Sequence, residues 1–413
     1  MDHLVLRSQS ALVRSRPAYQ RELYGAIDWS DPLIVILGPR GVGKRTLILQ
    51  RLASLSLAAN EALYVDMGDL YFQSNRLIDF VESYIRQGGR YLFIDEVHRY
   101  GYDTWAAELK QIHDLYRDRI KLVVTGSSIV RILAQQADLS RRALVYRLDG
   151  LSFREYLLLT EKVELPKLSL SQILHDHQQI TARLLTQLPL PLPRLSKYWQ
   201  QGYYPYFLEK PTGYVDRLAS SVQTVLDHDL PYATQSTKLD VRKLSRLLST
   251  IASSVPFTVN MEKIGQATGI SRLSLLRYFE LLSDAQLITT LRNESRGLAT
   301  LAKPDKVYLD NPNLLHALSP SVADVGHLRE TFFLSQLRYL TRAKGFLKPE
   351  ISLPRKGDFV FSTPDGRRYL FEVGGPNKDF RQIGEGPDSY VICDTDATGQ
   401  PKKIPLWLFG LLY

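Results

Sequence analysis

Through the first half of the chain, short apolar runs alternate with longer stretches whose apolar residues recur at three- and four-residue spacing. The runs Leu33 to Leu37, Ala62 to Asp66, Tyr91 to Asp95 and Lys121 to Thr125 have strand length, and Ala143 to Leu148 is a fifth on a weaker pattern. Between them, Lys44 to Ala58, Leu70 to Gln87 and Tyr102 to Tyr116 have helical period. This alternation predicts an α/β domain with a parallel sheet and crossover helices. Ser152 and Glu155, in capping-box spacing, start a further helix at Leu151-Ser-Phe-Arg-Glu-Tyr-Leu.

The alternating prolines of Leu188-Pro-Leu-Pro-Leu-Pro-Arg predict an extended connector, because proline removes a donor and restricts the residue before it. Ser196 to Ala233 reads as helical with a Tyr-rich turn at Gly202 to Tyr206, and Val241 to Ser254 as another amphipathic helix. From Pro349 onward the pattern shortens into strands and turns punctuated by glycine and proline. With 413 residues, two or three domains are expected at ~150 residues each. The expected divisions are an α/β domain over 1–160, a helical lid and Pro-rich connector over 161–235, a helix-rich segment over 236–303, and a C-terminal α/β domain over 304–413.

Composition narrows the class. With 44% hydrophobic and 23% charged residues, this is a folded protein rather than a disordered or fibrous one. Cys393 is the only cysteine, so no intramolecular disulfide or thiolate zinc cluster can form, which fits a reducing cytoplasm. The first residues mix charges into their apolar positions, unlike a signal peptide, and no apolar run approaches the ~20 residues of a membrane span. A net charge of +9 favours polyanionic partners without choosing among nucleic acid, nucleotides and acidic proteins.

Gly38-Pro39-Arg40-Gly41-Val42-Gly43-Lys44 follows an apolar strand and opens a helix, the context a phosphate-binding loop requires. Its glycines turn backbone amides toward a triphosphate such as ATP, and Lys44 neutralises the β- and γ-phosphates. The next position departs from the pattern: Arg45 stands where a hydroxyl normally ligates Mg²⁺. Thr46 cannot substitute, since one residue rotates the side chain by ~100° around the helix. Asp95 and Glu96 end an apolar strand at the edge where open α/β sheets bind ligands, Asp95 to hold the metal through water and Glu96 to activate the attacking water. Gly126-Ser127-Ser128 ends the next strand, where the serines orient water, report the γ-phosphate or simply form a turn. Arg141 and Arg142 are either arginine fingers reaching a neighbouring subunit's nucleotide, which would require a homo-oligomer, or a solvated basic face.

Gly-Pro-Arg-Gly-Val-Gly-Lys, Phe-Ile-Asp-Glu-Val-His, Thr-Gly-Ser-Ser and Asp-Leu-Ser-Arg-Arg followed by Leu-Ser-Phe-Arg-Glu-Tyr-Leu, in that order, resemble a widespread prokaryotic group of AAA+ ATPases. That group carries a C-terminal domain of unknown function, and the resemblance runs from about Tyr19 to the end. It implies an AAA+ core with Lys44, Asp95 and Glu96 in their usual roles, Ser127 at the sensor position and Arg142 as the finger.

In the C-terminal half, Asn260 to Leu282 reads as helix, tight turn, helix, with Ile264 and Ala267 packing on Leu275 and Leu276 and Ser271 capping the second helix. Ala285 to Leu291 supplies a wing-like strand, giving a winged helix whose Arg272, Ser274 and Arg277 face a DNA groove or phosphates. Asp240 to Lys306 holds ten basic residues, Arg296 among them, against six acidic ones. Such modules also serve as structural lids or protein contacts. Glu330, Asp358 and Glu372 resemble the carboxylates of the restriction-endonuclease-like fold, but Gly374 stands where that fold expects its lysine, and Lys378 reaches back only if the loop curls. An inactive descendant without nuclease activity is expected. Asp227-His228-Asp229 is expected to be a solvated turn. Together these readings predict an ATP-binding AAA+ ATPase, slow at hydrolysis, whose nucleotide state positions a winged helix on double-stranded DNA. The alternatives are an ATP-dependent switch that recognises a protein, and an ATP-gated nuclease.

Overall fold

The computed structural model describes residues 2–14, 19–100, 104–127, 139–234, 239–254, 256–294, 303–319, 324–342 and 348–413. They form two compact units, one of residues 1–150 and 224–239, the other of 151–223 and 240–413.

The first unit is built on β1 (Leu33–Leu37), β2 (Ala62–Asp66), β3 (Tyr91–Asp95), β4 (Lys121–Gly126) and β5 (Leu144–Arg147), all parallel in the order β2-β3-β4-β1-β5. β1 is buried along its whole length, as its unbroken Leu-Ile-Val-Ile-Leu predicts for a strand covered on both faces. The crossover helices are Lys44–Ser54, Tyr71–Ser74 with Leu77–Arg86, and Trp105–Tyr116. The stretch expected as one helix from Leu70 breaks at Asn75, which adopts an extended conformation. A helix over Asp2–Arg14, not anticipated from the sequence, guards the free edge of β2: Ser8 Oγ accepts the Tyr64 N–H at 3.1 Å. Its periodic half-apolar face, Leu4, Val5, Ser8, Ala11 and Leu12, was the available signal.

The second unit opens with the helix Phe153–Glu161, whose capping box between Ser152 and Glu155 forms as expected. The Pro-rich stretch departs from expectation. Pro191 and Pro193 lie inside the first turn of the helix Pro191–Gln200. The first N–H groups of a helix have no intrahelical partner, so proline there loses nothing. The helix Tyr214–Thr224 follows.

Next come the helix Val241–Ala252, β6 (Phe257–Thr258), the helices Met261–Thr268 and Arg272–Asp284, β7 (Ile288–Leu291) and β8 (Lys306–Leu309). The three strands form an antiparallel sheet in the order β6-β8-β7. Gly269, at φ 66°, ends the first helix of the pair, and Ser271 caps the second through the Ser274 N–H. Ile264 and Leu275 are buried as expected, whereas Ala267 is exposed and Thr268 takes its place inside. β8 lies beyond residue 303 yet completes this sheet.

The last sheet comprises β9 (Glu350–Ser352), β10 (Phe359–Ser362), β11 (Arg368–Gly374), β12 (Ser389–Cys393) and β13 (Lys403–Pro405), ordered β13-β12-β11-β10-β9. β11, β12 and β13 are parallel, while β9, β10 and β11 run antiparallel. The helix Val325–Leu340 brings Phe333 against Phe359, Phe371 and Phe409, with ring centroids 5.5, 5.1 and 4.7 Å away.

Asn313 is buried and satisfied at both ends of its amide. Its oxygen accepts the Gly202 and Tyr203 N–H groups and the Tyr214 hydroxyl, and its nitrogen donates to the Tyr198 and Trp199 carbonyls. Removing it strands several buried groups at once, each worth about 1–3 kcal/mol. Asn313→Ala should therefore lower stability by at least about 3 kcal/mol, read from the midpoint of chemical denaturation. A loss below about 1 kcal/mol would mean that the surrounding groups find other partners.

Candidate functional site

Loop 38–44 leaves the C-terminal end of β1, the strand between β4 and β5. Gly41 and Gly43 take left-handed conformations at φ 83° and 97°, which side-chain-bearing residues rarely adopt. A Cβ at Gly38 would fall 2.1 Å from the Leu148 carbonyl oxygen, so that glycine is needed for close approach. Pro39 and Val42 are buried, and Arg21 ties the loop down by donating to the carbonyls of Val42, Asp149 and Gly150. Lys44 is buried, with Nζ donating to the Gly38 and Pro39 carbonyls at 2.9 Å and lying 3.9 Å from Glu96 Oε1. Thr46 is half-buried on the helix that begins at Lys44.

The register of β2 with β3 sets Asp66 beside Asp95 at adjacent strand ends. Two like charges there repel, and Arg45 lies across both. Its Nε donates to Asp95 Oδ2 at 2.6 Å and its Nη2 to Asp66. Tyr64 Oη donates to the same Asp95 Oδ2 at 2.9 Å, and Thr125 Oγ1 donates to Oδ1. Partial burial opposes the charge on Arg45, but Asp95 and Asp66 outweigh it and hold the guanidinium firmly protonated. Arg45 is thus turned onto carboxylates. Both oxygens of Asp95 are already met by protein donors, and the helix offers Arg45 rather than a hydroxyl directly after Lys44, so these residues do not fit the Mg²⁺ that a phosphate-binding loop usually holds.

Glu96 sits at φ 54°, its N–H donated to Thr125 Oγ1. Ser127 donates its backbone N–H to His98 Nδ1 at 3.4 Å, which leaves the ring proton on Nε2, 3.3 Å from Glu96 Oε2 and 3.7 Å from Asp229 Oδ1. Asp229 is buried, and Arg40 reaches it at 3.7 Å. The expectation of a solvated turn at 227–229 therefore fails for Asp229, although Asp227 and His228 are exposed. Val225–Asp229 is a single π turn, whose wider winding turns Asp229 inward. His98 and Asp229 were missed: the one follows Glu96 by two residues, but no local pattern links either to the loop. Arg142 makes a two-pronged contact with Asp114, at 2.6 and 2.9 Å, which lowers the Asp114 carboxyl to about 2. Arg141 is exposed. Ser128 and Arg296 lie outside the described residues.

In the second unit, Arg272 and Arg277 are exposed on the helix Arg272–Asp284, and Ser274 shares a hydrogen bond with Ser271 at 2.9 Å. Leu273 stands between them, 80% exposed. Of the three distal carboxylates, Glu330 accepts from Tyr308 Oη at 2.7 Å and from Lys306 at 3.2 Å. The loop after β11 does curl. Lys378 pairs with Glu372, and its stem lies where a side chain on Gly374 would be, Cδ 2.7 Å from that ideal Cβ. The ammonium expected two residues after Glu372 is thus delivered from six residues after it. Among the described residues, no three His, Cys, Asp or Glu side chains are grouped so as to hold a metal.

Residues 30–157 match the model of an AAA domain. The five-stranded parallel sheet is accordingly of the AAA+ P-loop type, and residues 192–324 match a domain of unknown function (DUF8612). The uncharacterized protein MJ1637 of Methanocaldococcus jannaschii is 26% identical over 375 residues, 85% of this chain and 77% of that protein. Among solved structures, Aeropyrum pernix Orc1 in complex with DNA aligns over 76% of this chain and 92% of its own, at 13% identity and a TM-score of 0.29. The Thermotoga maritima RuvB Holliday junction branch migration motor aligns over 71% and 88%, at 16% identity and a TM-score of 0.26. No helix among the described residues is long and apolar enough to cross a membrane.

Burial, reinforced by Glu330 and Glu372 against a Val373 N–H that works the other way, pushes the Asp358 carboxyl up to about 7 from 3.8. A raised folded-state value means that the folded protein holds the proton longer, so this contribution is complete below about pH 4 and is lost as pH rises through 7. Asp358→Asn should therefore gain stability relative to the natural protein between pH 4 and 8, by on the order of a few kcal/mol. A difference that stays flat across that range would show that Asp358 is not held protonated.

Proposed function

We propose that this chain is an ATP-binding AAA+ ATPase that hydrolyses slowly and couples its nucleotide state to a winged-helix DNA-binding half. One observation carries the reading. The phosphate-binding loop has its glycine conformations and lysine in place, while the carboxylate that would organise the metal is engaged by Arg45. Binding and turnover draw on different residues, and only those for turnover are compromised. Glu96 is the general base in this reading, Ser127 the sensor and Arg142 a finger that must leave Asp114 to reach a neighbouring copy's nucleotide.

The DNA assignment draws on the element order helix, strand, helix, helix, strand, strand closing an antiparallel sheet, the arrangement of a winged helix. Arg272 and Arg277 are exposed on its second paired helix and make no ion pair among the described residues. The rival reading, docking on a protein, is favoured by Leu273, a large apolar side chain exposed on the same helix. The proposal stops short of DNA cleavage, because Glu372 and Glu330 are already met by Lys378, Lys306 and Tyr308, and Asp358 is partly protonated near neutrality. A cytoplasmic location is proposed with it.

Two measurements test the proposal. Duplex DNA binding should be salt-sensitive, and Arg272→Ala with Arg277→Ala should weaken it by at least about 1 kcal/mol while flattening the salt dependence. DNA affinity unchanged in this double variant would move the module to structural or protein contacts. ATP turnover, assayed with and without DNA beside Glu96→Gln as the inactive reference, should be slow in the natural protein. It should rise about tenfold or more in Arg45→Thr, and Lys44→Ala should abolish nucleotide binding. Brisk turnover in the natural protein, or none gained by Arg45→Thr, would refute the assignment of Arg45 as the brake.

A further inference from the structure

We infer that Arg45 takes the place of the divalent cation itself, so that this loop holds a nucleoside triphosphate without Mg²⁺. The inference rests on the nucleotide-binding reading of loop 38–44 and goes beyond slow turnover, since it concerns binding and the ion rather than the rate.

Residue 45 directly follows the loop lysine, the position from which a hydroxyl would ligate the metal. A guanidinium carries no lone pair and cannot be a ligand; it can only be a cation. Its charge is fixed in place by two carboxylates, Nε on Asp95 Oδ2 at 2.6 Å and Nη2 on Asp66, with Arg99 3.8 Å from the far oxygen of Asp66. Asp95 receives three donors, from Arg45, Tyr64 and Thr125, which takes up most of the roughly four lone-pair sites of a carboxylate. A hydrated Mg²⁺ needs those sites for its water ligands and would have to sit beside a protein cation. Of the five guanidinium N–H groups, Nε–H and one on Nη2 are committed. Those of Nη1 have no partner among the described residues, and the side chain is 52% exposed. Arginine pairs with phosphate through strong charge-assisted hydrogen bonds, so this remaining edge offers the triphosphate what the metal otherwise supplies. Asp66 gains a role in this account as the second anchor of the cation.

The test uses the full chain and an ATP labelled with N-methylanthraniloyl, titrated by fluorescence in excess Mg²⁺ and again in EDTA. The natural protein should give the same Kd in both within the error of measurement. Arg45→Thr, which restores the hydroxyl and frees Asp95, should bind about tenfold or more tightly in Mg²⁺ than in EDTA. A natural protein that loses tenfold or more of its affinity in EDTA overturns the inference while leaving nucleotide binding intact. Absence of binding in both conditions overturns the nucleotide reading and this inference together. The comparison within the natural protein decides the matter whether or not the variant folds.

Discussion

Withdrawing a carboxylate from water costs several kcal/mol unless a cation or a set of donors meets it, and the candidate site is arranged around that requirement at Asp95. The parallel pairing of β2 with β3 sets Asp66 and Asp95 side by side at the strand ends, so the sheet itself generates a concentration of negative charge. Arg45, projecting from the helix that follows the loop, answers both. Tyr64 and Thr125, from the strands on either side of β3, complete the shell. The helix and three strands are tied together at this one carboxylate, and the same Thr125 hydroxyl that serves Asp95 also accepts the Glu96 N–H.

Much of this was legible in the sequence because it is local. Runs such as Leu33 to Leu37 fix strands of the right length, and a glycine-rich turn between strand and helix fixes the loop, since left-handed backbone at Gly41 and Gly43 leaves little choice of residue. The anomaly at Arg45 could also be read, because the loop pattern assigns a role to each successive position. The direction in which its side chain points could not. That depends on Asp66, twenty-nine residues before Asp95 in the chain and adjacent to it only through strand pairing.

The misses share a cause. Asp229 reads as a member of a solvated cluster because its burial is set by the winding of a π turn and by Arg40 and His98, both distant in sequence. Pro191 and Pro193 were assigned to a connector because proline usually stops a helix, and only the position of the first turn reverses that rule. The missing lysine near Glu372 is the most instructive case. A motif counted by spacing has a gap at Gly374, but the requirement is for a cation near the carboxylate in space. The glycine leaves room for the Lys378 stem, and the loop that follows returns the ammonium to the same carboxylate.

Arg45 and Lys378 thus pose the same physical question at two unrelated sheet edges. In each, an acidic residue at or near the end of a strand, where a divalent ion would be expected, is met by a basic side chain of the chain itself. A tethered cation is always present and needs no site dehydrated to admit it, but it differs from a metal in what it can do. A guanidinium or ammonium neutralises charge and donates hydrogen bonds; it does not lower the pKa of a bound water to make a nucleophile. Electrostatic recognition therefore survives the exchange better than hydrolysis does, because recognition needs charge and direction while hydrolysis also needs an activated oxygen. On the proposed reading, a site built this way favours long-lived bound states over rapid turnover, the property a molecular switch would require of its nucleotide pocket.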